Sequence, residues 1–235
     1  MTTIPCVLCE SGETSPIHTD TTRMQHTRTY HECSNCKVIF VAPDERLRPT
    51  EERARYDMHE NDPDDPNYRS FLNQLFEPVA RRIPEQSSGL DFGSGPGPTL
   101  HRMFEEAGHS MAIYDPFYAD DPSVFETEYD FITTSETAEH LYYPMDEFER
   151  LWKCLKPGGT LGIMTSLAPD TEDFGSWHYK NDDTHVTFYR PETFAFMARQ
   201  WEAPLEVVSD RVILLEKLEV EEPQRRYSLS FTSSI

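Results

Sequence analysis

A chain of 235 residues with 21 Lys and Arg against 42 Asp and Glu carries a formal charge of −21 and a pI near 4.7. So acidic a chain repels nucleic acid and anionic membranes, and no apolar run reaches the roughly 20 residues that span a bilayer. The length suits one α/β domain plus a small appendage, and MTTIPCVLCE lacks the basic and apolar regions of a signal peptide, so a cytoplasmic location is expected.

Taken from the N-terminus, the first feature is two C-x-x-C pairs, Cys6/Cys9 and Cys33/Cys36, with a polar stretch between them. Four thiolates in paired knuckles suit tetrahedral zinc, and the intervening residues are too polar to fold around a core of their own. Residues 1–41 therefore read as a zinc ribbon closed by the strand KVIFVAP, with structural Zn2+ as its cofactor and a protein partner as one use for it. Residues 42–65 form a polar connector with room for a short helix. Tyr56, His59 and Tyr68 lie in or just after it, either as a lid facing substrate or as a solvated linker. The fifth cysteine, Cys154, falls on an amphipathic helix and reads as a small core residue.

Residues 66–221 read as an α/β domain. NYRSFLNQLFEPVARRI has apolar residues at helical spacing, and from residue 89 short apolar strands alternate with helices: GLDFG, a helix over 99–107, MAIYD, EYDFITT, a helix over 144–155, and LGIMTS. Pro144 and Pro191 suit first helical positions. LEVVSD and RVILLEKLEV read as an antiparallel hairpin at the sheet edge, and residues 222–235 as a peripheral tail.

DFGSGPG sets Gly93, Gly95 and Gly97 between a strand and a helix N-terminus, where a ligand approaches backbone closely. Asp115 ends the next strand, where an acid accepts from both hydroxyls of a ribose, so the pair points to an adenosine-containing ligand. Pro98 stands where the dinucleotide fingerprint needs Gly or Ala, which disfavours nicotinamide and flavin cofactors.

The run D-x-G-x-G-x-G from Asp91, together with Asp115, YDFITT followed by SETAEH, and LKPGGTLGIMTS, resembles the class I S-adenosylmethionine-dependent methyltransferases over residues 66 to about 218. The ribbon, YDMHENDPDDPNYRSFL and WHYKNDDTHVTFY are similar to a bacterial subgroup with the same elements. The resemblance implies a Rossmann-like, seven-stranded methyltransferase sheet with helices on both faces, and S-adenosyl-L-methionine as cofactor. Carried over, Gly93 and Gly95 contact its methionine part, Asp91 orients it, Asp115 and the neighbouring Pro116 hold the ribose side, and Ser135 lines the floor near the methyl group. The region between Asp115 and Tyr129 is short for the usual helix and third strand, so a rudimentary strand is expected, with Phe117, Tyr118 or ADDPSVFET covering the adenine.

SETAEH puts Glu136, Glu139 and His140 at i, i+3, i+4 spacing, one face of a helical turn. E-x-x-E-H with a later lone His is similar to the motif by which small-RNA 3′-end 2′-O-methyltransferases hold a divalent cation. Carried over, the ligands are Glu136, Glu139, His140 and His185, an O/N set suited to Mg2+ or Mn2+. The same residues also read as direct acid/base or substrate-binding groups (His185, His140 and Glu136 as catalytic), or as structural ones. His178 and Tyr179 face substrate or pack the loop. The expected activity is methyl transfer to a small or carrier-borne acceptor, oxygen above nitrogen or carbon. The rivals are an RNA-directed 2′-O-methyltransferase, which the charge opposes, and a non-catalytic module of the same fold.

Overall fold

The computed structural model describes residues 4–22, 26–56 and 62–219. In chain order these form β1 (Thr14–Thr21), β2 (Thr27–Cys33), β3 (Ile39–Val41), α1 (Pro49–Tyr56), α2 (Pro66–Ala80), β4 (Ser88–Phe92), α3 (Thr99–Glu106), β5 (Ser110–Tyr114), β6 (Tyr129–Ser135), α4 (Pro144–Cys154), β7 (Leu155–Met164), α5 (Thr171–Phe174), β8 (Thr187–Phe188), α6 (Pro191–Gln200), β9 (Leu205–Val207) and β10 (Val212–Glu216). Short 3-10 turns punctuate them, notably at Pro122–Glu126 and Ala138–His140. No helix among the described residues is long and apolar enough to cross a membrane.

The main sheet has six strands in the order β5-β4-β6-β7-β10-β9. β5, β4, β6 and β7 run parallel, while β10 is antiparallel to both β7 and β9, the reversed hairpin expected from LEVVSD and RVILLEKLEV. Among the described residues six strands stand where seven were expected. After β5 the chain makes only the turn Pro122–Glu126, which sends Phe125 inward against Tyr114 (ring centroids 4.7 Å) and Phe92 (6.4 Å) in place of an edge strand.

Period-2 alternation divides each strand between two cores. Leu161, Ile163, Ile213 and Leu215 face one side with α4 and α6, whereas Met164, Val212 and Leu214 face the other with α2 and α3. The helices follow from local chemistry. Asp65 caps α2 by accepting from the Asn67 N–H (2.9 Å), Pro66, Pro144 and Pro191 occupy first-turn positions, and α3 buries Leu100, Met103 and Phe104 at i, i+3, i+4 spacing. Cys154 is buried and donates to the Phe125 carbonyl (3.4 Å), a core role.

The N-terminal strands, expected to form a separate ribbon, are joined to the rest of the chain. β1, β2 and β3 form an antiparallel sheet whose fourth strand is β8, supplied by the long connection after β7. Cys6, Cys33, Cys36, Val38 and Phe40 join the core on the α4/α6 side, and Tyr30, Ile39 and Val41 form a third cluster with Phe174 and Phe188.

Gly89 marks the tightest strand-to-strand packing: a Cβ there would sit 2.3 Å from the Phe131 ring and 2.6 Å from the Met111 sulfur. Gly89→Val is expected to lower the unfolding free energy by about 2–3 kcal/mol. Gly12→Val, where nothing lies within 4 Å of the added carbon, should change it by less than about 0.5 kcal/mol. Urea denaturation of both variants checks the contrast.

Candidate active site

β4 is flanked by β5 on one side and β6 on the other, so the crevice at the carboxyl ends of β4 and β6 is the topological switch point at which open α/β sheets bind ligands. Two cavities meet there. One, of about 380 Å³, is lined by Gly93, Gly95, Tyr114, Asp115, Pro116, Phe117, Tyr118 and Arg150 among others. The second, of about 310 Å³, is lined by Tyr68, Asp91, Ser94, Thr99, Ser135, Glu139, Asp182 and His185. Gly93, Gly95, Glu136 and His140 line both.

The glycine loop is built for close approach. Gly93 has φ 78° and Gly95 φ 65°, and a Cβ on Gly93 would fall 2.2 Å from the Thr137 side chain, whose hydroxyl donates to the Gly93 carbonyl (3.2 Å). Asp115 accepts from the N–H groups of Gly95 (3.0 Å), Phe117 (2.8 Å) and Tyr118 (3.2 Å), which fixes its carboxylate beside the loop. Arg150 lies 3.8 Å from the Phe125 ring centroid and 5.5 Å from that of Tyr114, closing the wall that a third strand would otherwise supply. Asp91 is wholly buried at the base of the second cavity and accepts from the Thr133 hydroxyl (3.0 Å). Ser94 Oγ and Glu136 Oε1 are buried without a hydrogen-bond partner among the described residues, Glu136 Oε1 facing only Arg211 at 3.9 Å.

Three of the four E-x-x-E-H…H residues converge. One ligand atom each from Glu139, His140 and His185 lies within 4.8 Å of the others. His140 Nδ1 pairs with the Thr184 carbonyl (3.0 Å) and His185 Nδ1 with the Tyr179 carbonyl (2.7 Å). Carbonyls only accept, so each Nδ1 carries the proton and each Nε2 keeps its lone pair. Glu139 has no exposed surface; Tyr179 donates to Oε1 (2.5 Å) and Thr165 to Oε2 (2.8 Å). Burial lowers the pKa of His140, and burial plus His140 pushes His185 down to about 3, so both rings stay neutral as metal ligands must. Burial pushes Glu139 up to about 7.

Glu136 stands apart from that trio. Its φ of 47° is left-handed, and its N–H donates to the Met164 carbonyl (2.8 Å). The turn Ala138–His140 starts only after it, so the i, i+3, i+4 face assumed from sequence does not form. Its carboxylate instead accepts from Tyr179 (3.2 Å) and faces Arg211 at 3.9 Å. Burial first, and then Glu139, push it up to about 8.

Other expected residues separate in the same way. Tyr68 lines the second cavity, its phenol pushed up to about 12 by burial, and Tyr179 binds both glutamates. His178 is exposed and lines neither cavity. His59 and the Tyr56 side chain lie outside the described residues. Sequence reasoning missed Asp182, Thr165, Arg211 and Arg150. Of these, Asp182 had a signal in D-x-T, because its carboxylate accepts from the Thr184 N–H (3.0 Å) and hydroxyl (2.7 Å). Burial acts to raise its pKa, yet those bonds hold it at about 2.

The four ribbon cysteines form a cluster of their own. The Cys6–Cys36 and Cys9–Cys33 sulfur separations of 3.5 and 3.6 Å are far beyond a disulfide and close to the edge of about 3.8 Å of a ZnS4 tetrahedron. The cluster is compatible with zinc.

A mostly parallel sheet with a terminal reversed hairpin, a glycine loop and an acid after the second strand defines the Rossmann-like methyltransferase fold. A family model described as a methyltransferase domain matches residues 61–209, more than half of the chain, and the protein belongs to that family. A chain of the Haloferax volcanii complex containing the Trm112 methyltransferase activator superposes with TM-score 0.50 at 12% identity, over 74% of this chain and all of that one (100%). An O-methyltransferase family protein from Burkholderia thailandensis gives TM-score 0.48 at 14% identity, over 73% and 64%. A SAM dependent methyltransferase from Aquifex aeolicus gives 0.45 at 15%, over 73% and 98%. No curated protein matches.

The buried Asp91 supplies a pH test. Burial pushes its carboxyl from an ordinary value near 3.8 up to about 7, so the folded state holds the proton more tightly than the unfolded chain. The associated stability is complete below the ordinary value and is lost as pH rises through about 7. Asp91→Asn has no proton to lose. The unfolding free energy of the ligand-free native protein minus that of Asp91→Asn should therefore fall between pH 5 and pH 8. Urea midpoints at the two pH values measure it, and a constant difference would show that burial does not shift this carboxyl.

Proposed function

We propose that the protein transfers a methyl group from S-adenosylmethionine to a hydroxyl of a small or carrier-borne acceptor, with a divalent cation beside the acceptor. The carrying observation is the junction of the two cavities, at which the glycine loop and Asp115 stand on one side and the Glu139–His140–His185 trio on the other. Ser94 Oγ, buried without a hydrogen-bond partner among the described residues, and a wall of Tyr114, Phe117 and Tyr118 fit a ligand with polar and aromatic parts. When bound, S-adenosylmethionine supplies an electrophilic methyl on a sulfonium.

Each residue has a role in this reading. Asp115, already held by three N–H groups, presents its remaining lone pairs to the ribose, and Gly95 lets the backbone approach. Asp91 and Ser135 line the side where the methionine part would lie. One carboxylate and two neutral imidazoles with open positions suit Mn2+, Fe2+ or Mg2+, which would acidify and orient the acceptor hydroxyl. Glu136, lining both cavities, can bind a neighbouring hydroxyl of the acceptor and, in its ionised form, take the acceptor proton, which burial then helps it hold. Cys6, Cys9, Cys33 and Cys36 would hold a structural zinc.

Two calorimetric titrations test the two halves. Asp115→Ala removes a charged acceptor and is expected to weaken S-adenosylhomocysteine about 10- to 100-fold; unchanged affinity would refute the cofactor placement. Mn2+ titrated into zinc-loaded, S-adenosylhomocysteine-saturated protein should bind at one site and not in Glu139→Ala/His185→Ala. Absence of binding in the native protein would remove the cation and leave the imidazoles and Glu136 as acid/base groups.

A further inference from the structure

The most unusual buried group outside the cavities is a guanidinium. Arg28, on β2 of the ribbon, is 2% exposed, yet it points into the long connection that carries His185. Its Nη1 donates to the Asp182 carbonyl (2.9 Å), its Nη2 to the His185 carbonyl, and Asp183 offsets its charge at 3.8 Å. Arg28 thus grips the backbone of His185 itself and that of Asp182, a wall of the same cavity.

The grip is part of a wider attachment. The Tyr30 hydroxyl donates to the Lys180 carbonyl (3.2 Å), Lys180 reaches Asp20 on β1 (2.5 Å), and the Val41 N–H donates to the Val186 carbonyl (2.9 Å) just before β3 meets β8. On its other face the same segment holds the trio. The Thr184 carbonyl accepts from His140 Nδ1–H, the Tyr179 carbonyl from His185 Nδ1–H, and the Val186 N–H donates to the Glu139 carbonyl (2.8 Å). One strip of backbone therefore carries His185, contacts Glu139 and His140, and is itself held by the N-terminal strands.

We propose that Arg28 is a positioning residue for the Glu139–His140–His185 site, so that the four-cysteine ribbon sets the geometry of a second metal centre in the same chain. The proposal rests on the cation-assisted reading above. Its physical basis is that the two carbonyls need two donors in a fixed fork, which a guanidinium supplies and an ammonium does not. Outer partners that orient metal ligands typically change metal affinity 10- to 100-fold when removed.

The test uses the full-length, zinc-loaded protein. Arg28→Met alone would strand the Asp183 carboxylate in the interior, so Arg28→Met/Asp183→Asn is the working variant and Arg28→Lys the conservative one. Mn2+ affinity should fall at least 10-fold in the double variant and less in Arg28→Lys, while S-adenosylhomocysteine affinity stays within about twofold, because Asp91, Gly95 and Asp115 lie on other elements. Equal Mn2+ affinity in all three proteins would overturn the proposal, as would parallel loss of both affinities with the thermal midpoint, which is general destabilisation.

A second readout separates this claim from the reading it rests on. Long-range 1H–15N spectra of the metal-free protein report which nitrogen of His185 carries the proton. Should the native protein bind no Mn2+, the cation reading fails by itself. Loss of the Nδ1–H tautomer in the double variant then still supports positioning by Arg28, and an unchanged His185 spectrum defeats it.

Discussion

Two carboxylates at the end of one strand set the terms for the rest of the structure. Glu136 and Glu139 are both pushed towards neutrality by burial, and the single hydroxyl of Tyr179 lies between them, donating to Glu139 Oε1 (2.5 Å) with Glu136 Oε2 at 3.2 Å. Buried acids without partners would be very costly, and buried like charges more so. Their compensation comes from three separate places: Tyr179 from the long connection, Thr165 from just after β7, and Arg211 from just before β10. The carboxyl end of the sheet is therefore polar by construction, and the elements around it are arranged to satisfy those groups.

The same constraint explains why the connection after β7 is long. A short link would carry the chain directly into α6 and leave Glu139 and His140 facing water. Instead residues 170–188 fold over the site, and their backbone needs partners of its own. β3 supplies them through β8, and Arg28 and Tyr30 supply them through the carbonyls of residues 180, 182 and 185. On the opposite side, beyond β5, Arg150 stacks on Phe125 and the rings of Tyr114, Phe117 and Tyr118 line the cavity.

Most of the sheet was legible from periodicity, because β4, β6 and β10 are apolar runs with sharp ends and α3 and α4 bury residues three and four apart, whereas β7 starts at Leu155, ahead of the expected LGIMTS, on a Lys-Pro-Gly-Gly stretch with no strand pattern. The cysteine spacing announced the cluster that forms. β8 was not legible: two residues, Thr187 and Phe188, carry no periodic signal, and their strand character comes wholly from β3. Arg28 reads as one more surface cation in TRTYHEC, and only a contact across more than 150 residues of chain buries it. Helical spacing places Glu136 with Glu139 and His140 on one turn, but its backbone is left-handed and the turn begins only at Ala138, so Glu136 meets Glu139 through the Tyr179 hydroxyl instead.

The two cysteine pairs then acquire a reason beyond stabilising a small domain. β1 has no buried residue, and β2 buries only Arg28, Tyr30 and Cys33, so the two strands contribute little apolar area of their own. A strip that must hold His185 in register, however, needs a rigid support, since a misplacement of about 1 Å at a reactive site can cost about 100-fold in rate. Tetrahedral ligation by two knuckles would give such rigidity without a large core, and the apolar residues nearest the cysteines, Val38 and Phe40, bind it to the α4/α6 face. The ribbon's strands are thus occupied by a segment of the same chain, and what that segment carries to the crevice is the last member of the Glu139–His140–His185 trio.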